Sequence, residues 1–81
     1  MSEALKFEGR LALYKREAAE LRLRISGDVN SVRNFLDPFE APENLRAQEA
    51  AAQAVELAEK VIRLKALVDQ IAAVERELRG L

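Results

Sequence analysis

The stretch Asp37-Pro38-Phe39-Glu40-Ala41-Pro42-Glu43 holds both prolines of the chain and divides it almost in half. Proline has no N–H to donate, and its ring disfavours helical geometry in the residue before it. Two prolines four residues apart therefore stop any helix arriving from the N-terminal side near Leu36. They also supply a start for the next one, because Pro42 suits a first helical turn and Glu43 and Glu49 favour the positive end of its dipole. The segment reads as a turn over residues 37–42.

On either side the apolar residues repeat every three and four positions. Before the turn, Ala4, Phe7, Leu11, Tyr14, Ala18, Leu21, Ile25, Asp28, Val32 and Phe35 keep this spacing. After it, Ala47, Ala50, Ala54, Leu57, Val61, Leu64, Val68, Ile71, Glu75 and Leu78 do the same. Each run has one charged exception. An apolar repeat of this period, sustained over several heptads, is the mark of a coiled-coil seam.

The expected fold is all-α: one domain over residues 1–81, built as an antiparallel, coiled-coil-like helical hairpin. Its helices cover about residues 3–36 and 43–80. At ~1.5 Å per residue they would be about 50 and 57 Å long, well matched for pairing. Ser2 is a good N-cap residue for the first. Ser26-Gly27-Asp28-Val29-Asn30-Ser31 is rich in poor helix formers: either the helix runs through with a slight kink at 26–28, which the heptad phase carried from Ile25 to Val32 favours, or it breaks and restarts with Asp28 as a cap. Folding at the turn pairs residues whose numbers add to roughly 79, so that Ala54 meets Ile25 and Val68 meets Leu11.

Composition narrows the functional classes. The 81 residues include 13 Lys and Arg against 14 Asp and Glu, a net charge of −1, with no His, Cys or Trp. Without imidazole or thiol, the usual general bases, thiol nucleophiles and zinc sites have no residues to build them. The three glycines are isolated, so no phosphate-binding loop exists. Glutamate pairs at Glu17/Glu20, Glu40/Glu43 and Glu56/Glu59 read as solvated faces. Glu56 and Glu59 each have a cation four positions on, in Lys60 and Arg63. No catalytic residue, metal ligand, cofactor or small-molecule substrate is expected. Nor does any stretch approach the roughly 20 apolar residues of a membrane span. Met1-Ser2-Glu3 lacks the basic and apolar regions of a signal peptide, which leaves a cytoplasmic protein as the expectation.

A two-stranded seam needs two apolar positions per heptad, yet more are present. Val55, Ala58 and Ile62 lie beside one edge of the second seam, and Leu67, Val74 and Leu81 beside the other. Such broad stripes characterise bundle helices. They point to self-association, most simply as a dimeric four-helix bundle, or to a helical protein partner. Phe39 stands apart from the repeat. It either caps the core against Phe35 and Leu45 or serves as an exposed anchor for a partner. The candidate interaction residues are thus Phe39, Val55, Ile62, Leu67 and Val74.

The function expected is that of a non-enzymatic interaction and oligomerisation module, an accessory or structural component of a larger assembly. The alternative is a small nucleic-acid-associated regulatory protein, of phage or mobile-element type, dimerising through the bundle. It rests on Lys15, Arg22 and Arg33, which fall within about 20° of one another around the first helix. Glu8, Glu17, Glu20 and Asp28 dilute that stripe, and a net charge of −1 is unlike the basic excess of a polyanion binder.

Overall fold

The computed structural model describes residues 2–81. Two α-helices of equal length, α1 (Glu3–Phe35) and α2 (Ala47–Arg79), fold back on each other as a hairpin. The described residues contain no strand. The rod measures 61 × 16 × 14 Å and has a radius of gyration of 18.3 Å. A globular chain of this length would have a radius near 12 Å. No described helix is long and apolar enough to cross a membrane.

At the N-terminus of α1 the Ser2 hydroxyl accepts a 3.3 Å hydrogen bond from the Leu5 N–H, closing one of the donors left open by the first turn. The helix then runs unbroken through Ser26–Ser31, so no break occurs where poor helix formers cluster. Asp28 is not a cap. It lies in the middle of the helix with its carboxylate turned to α2, and that contact offsets the low propensity of its neighbours.

The connection is longer than residues 37–42. The Asp37 carboxylate accepts a 2.9 Å bond from the Phe39 N–H, an Asx-type turn that redirects the chain after Leu36. Pro42 does open a helical turn, but a short 3₁₀ one, Pro42–Asn44. Leu45 is extended, and α2 starts only at Ala47, four residues later than residue 43. The Arg46 N–H donates to the Phe35 carbonyl at 3.3 Å, tying the start of α2 to the end of α1. Its guanidinium lies 4.7 Å from the centre of the Phe35 ring.

Every seam position expected in α1 faces α2, from Ala4 and Phe7 to Val32 and Phe35. In α2 only half of the expected seam does. Ala50, Leu57, Leu64, Ile71 and Leu78 face inward, but their alternating partners are Gln53, Lys60, Leu67 and Val74. Ala54, Val68 and Glu75 are exposed instead, and Val61 is half-buried. The second stripe is therefore offset by one residue from the expected one. Its centre is a cluster of Ala18, Leu21 and Leu67, packed about by Tyr14, Leu64 and Ile71.

The offset has a physical cause. The expected stripe would bury Val68 and the Glu75 charge, whereas the observed stripe buries Leu67 and Val74 and leaves Glu75 in water. The observed stripe also brings Gln53 and Lys60 inward, but Lys60 meets Asp28 there, and burying Leu67 and Val74 contributes on the order of 1.5–3 kcal/mol for each side chain. The register moves too. Ala18 now packs in one cluster with Leu67 and Leu21 with Leu64, where Val61 and Leu57 were expected.

Candidate interaction surface

The ion pairs between the helices separate two sides of the rod. In an antiparallel pair, positions following the inner residues of one helix lie beside the equivalent positions of the other. Lys15 and Glu75, 3.8 Å apart, join one such edge. Glu17 and Arg63 join the opposite one, with Arg63 donating to both carboxylate oxygens at 2.9 and 3.1 Å. This bidentate contact and the Glu17 charge raise the Arg63 guanidinium above its ordinary pKa.

The two sides differ in chemistry. Along the Glu17–Arg63 edge, α1 presents Arg10, Arg24 and Ser31, and α2 presents Glu49, Glu56, Gln70 and Glu77, all of them polar. Along the Lys15–Glu75 edge, α1 presents Glu8 and Arg22 away from the turn and Val29 and Leu36 towards it, and α2 presents Ala54, Val61 and Val68. Just outside those last three lie Ala51, Val55, Ala58, Ile62 and Ala72. The rod is thus polar on one long side and apolar on much of the other.

Exposure on the apolar side is high: 60% for Val55, 68% for Ile62 and 45% for Val68. A shallow groove of about 430 Å³ runs along it, lined by Val61, Leu64, Val68, Lys65 and Asp69. The two charged residues sit at its margin with opposite signs. Val55 and Ile62, expected as interaction residues, therefore occupy this open face. Leu67 and Val74 do not. At 0% and 6% exposure they belong to the core between the helices and are unavailable to any partner.

Phe39 is 95% exposed and does not cap the core. Arg46, stacked on Phe35, occupies the place expected for it. Phe39 projects from the turn beside an open hollow of about 700 Å³ lined by Asn30, Arg33, Asn34, Asp37 and Pro38. It lies at the tip of the rod, apart from the apolar side.

Reasoning along the sequence placed Leu36 outside the seam but missed Val29 and Val68 as surface residues and Val61 as a half-buried one. The available signal was the second heptad phase, Leu67-Val74-Leu81, which competes with Val61-Val68-Glu75 for the seam. Whichever phase is buried leaves the other exposed.

One carboxylate of each glutamate pair is engaged with protein groups. Lys60 and Arg63 reach across to Asp28 and Glu17 rather than back to Glu56 and Glu59. Glu56 accepts from the Gln53 amide, and Glu40 accepts from the Ala41 N–H and the Asn44 amide. Among the described residues no group of three or more acidic side chains is arranged to hold a metal ion. On the basic helix, Lys15 is paired with Glu75, and Arg10 lies 5.6 Å from the centre of the Phe7 ring. Compared with family models, curated proteins and solved structures, the chain matches none.

Proposed function

We propose that this chain is a non-enzymatic helical association module acting in the cytoplasm. Its work is to self-associate, as a dimeric four-helix bundle, and so serve as a structural or accessory component of a larger assembly. The observation that carries this reading is the one-sided apolar surface around Val55, Ile62 and Val68. A hairpin meant to stand alone would spread its leftover apolar residues singly around the rod, as happens with Leu5, Leu13 and Leu23 on α1. Four-helix packing is the simplest arrangement that covers a contiguous side of a two-helix rod.

Small size supports the same reading. Among the described residues only five apolar side chains are buried, and Leu67 is the one large side chain fully so. Chains of this length rarely gain enough from such a core without a further source of stability, and oligomerisation is a common one. Light scattering after size exclusion, over a range of concentrations, tests the proposal. A mass of twice 9.1 kDa or an even multiple supports it, and a monomer throughout overturns it.

The alternative reading, a nucleic-acid-associated dimer presenting α1, draws on exposed Arg22, Arg24 and Arg33. Retention on DNA that falls steeply with salt would favour it, because released counterions dominate such binding. The absence of retention at low salt would remove it.

A further inference from the structure

We infer that the apolar side of α2 docks against the same side of a second copy, antiparallel, with the two-fold axis passing close to Ile62. The inference rests on the association reading above and specifies its geometry. Three observations carry it.

The first is area. The chain exposes 6109 Å². A globular protein of its mass exposes about 4,900 Å², so the excess is about 1,200 Å². A stable interface removes roughly 800 Å² from each partner. The excess is therefore more than enough to supply one such interface. The second is position. The exposed large apolar residues of α2 are Val55, Ile62 and Val68, and the midpoint of that patch falls at Val61 and Ile62. Two-fold contact of a patch with itself centres the axis on that midpoint. Antiparallel pairing then brings Val55 to Val68 of the second copy and Ala51 to Ala72 of the second copy.

The third is charge. Lys65 and Asp69 border the groove. In a parallel arrangement each would face its own counterpart, like charge against like, which is unfavourable across an interface. Antiparallel pairing sets Lys65 beside Ala58 of the second copy and Asp69 beside Ala54. The small alanines leave the lysine stem room to lie along the interface with its ammonium in water.

The chain has no cysteine, so single substitutions report the geometry directly. A disulfide needs the two Cβ atoms about 4 Å apart. Under mild oxidation, Ile62→Cys is expected to convert most of the chain to covalent dimer. Val55→Cys and Val68→Cys should each stay uncrosslinked alone but join when mixed. Glu56→Cys, on the polar side, should remain monomeric on a denaturing gel. Equal self-crosslinking of Val55→Cys, Ile62→Cys and Val68→Cys would overturn the antiparallel arrangement. A dimeric mass without crosslinking at Ile62→Cys would overturn this face as the interface while leaving self-association intact. A monomeric mass for the unmodified chain would overturn both readings.

Discussion

Lys60 donates a 2.8 Å hydrogen bond to the Asp28 carboxylate across the seam, where both side chains are largely shielded, at 25% and 15% exposure. Each would break the apolar repeat of its own helix if taken alone. Together they form a polar layer between the apolar layers on either side. Every buried polar side-chain atom among the described residues has a hydrogen-bond partner, this pair included. Such a layer contributes little net stability, since removing two charges from water offsets most of their attraction. Its value lies in alignment, because sliding either helix by one turn would strand both charges.

Replacing Asp28 by Ala is therefore expected to cost about 1–3 kcal/mol, by leaving the Lys60 ammonium shielded and unpaired. Replacing both residues by Leu should recover or exceed the original stability. Urea unfolding of Asp28→Leu, Lys60→Leu and the double variant measures the coupling. If the two single losses simply add, the pair is not a functioning contact.

The neighbouring residues Leu67 and Val68 report which heptad phase is inside. Leu67→Ala should lower stability by about 2–4 kcal/mol through the cavity left beside Ala18 and Leu21. Val68→Asp should keep the chain helical while reducing its mass in solution, because it charges the apolar side without entering the core. Circular dichroism and light scattering on both variants check this. Equal loss of helicity in the two would return Val68 to the seam.

Phe39→Ala is expected to change stability by no more than about 0.5 kcal/mol, as for other surface substitutions away from packed features. Thermal unfolding at fixed protein concentration measures it. A loss above 1 kcal/mol, as in core truncations, would mean that Phe39 is covered in solution.

Gly9 and Gly27 lie within α1, and a Cβ at either would meet no atom within 4 Å. Alanine at each should stabilise the protein by up to about 1 kcal/mol, since it restrains the unfolded chain and favours the helix. A fall in the urea midpoint for Gly27→Ala would show that a second molecule approaches the backbone there.

Much of the fold was legible from two features. The prolines at 38 and 42 had to interrupt the helix, and the three-four repeat had to face something. The α1 seam could be read correctly because only one heptad phase there is apolar throughout, apart from Asp28. In α2 two phases compete, and neither is clean: one contains Glu75, the other Gln53 and Lys60. Choosing between them requires knowing what stands opposite. Lys60 is acceptable in the seam only because Asp28 faces it, and Leu67 because Ala18 leaves it space.

The candidate surface followed the same division. Val55 and Ile62 lie on the outer face whichever phase is buried, so the sequence alone placed them there. Leu67 and Val74 could not be separated from Val61 and Val68 without the partner helix. The late start of α2 at Ala47 and the exposure of Phe39 were likewise decided by the tertiary structure. There the Phe35 carbonyl captures the Arg46 N–H, and Arg46 covers the ring that Phe39 would otherwise cap. What the sequence determined by itself was local: where backbone hydrogen bonding must stop, and the period at which apolar residues recur. What only the tertiary structure decided was reciprocal, because the cost of burying a charge or a large side chain depends on the residue that meets it from the other helix.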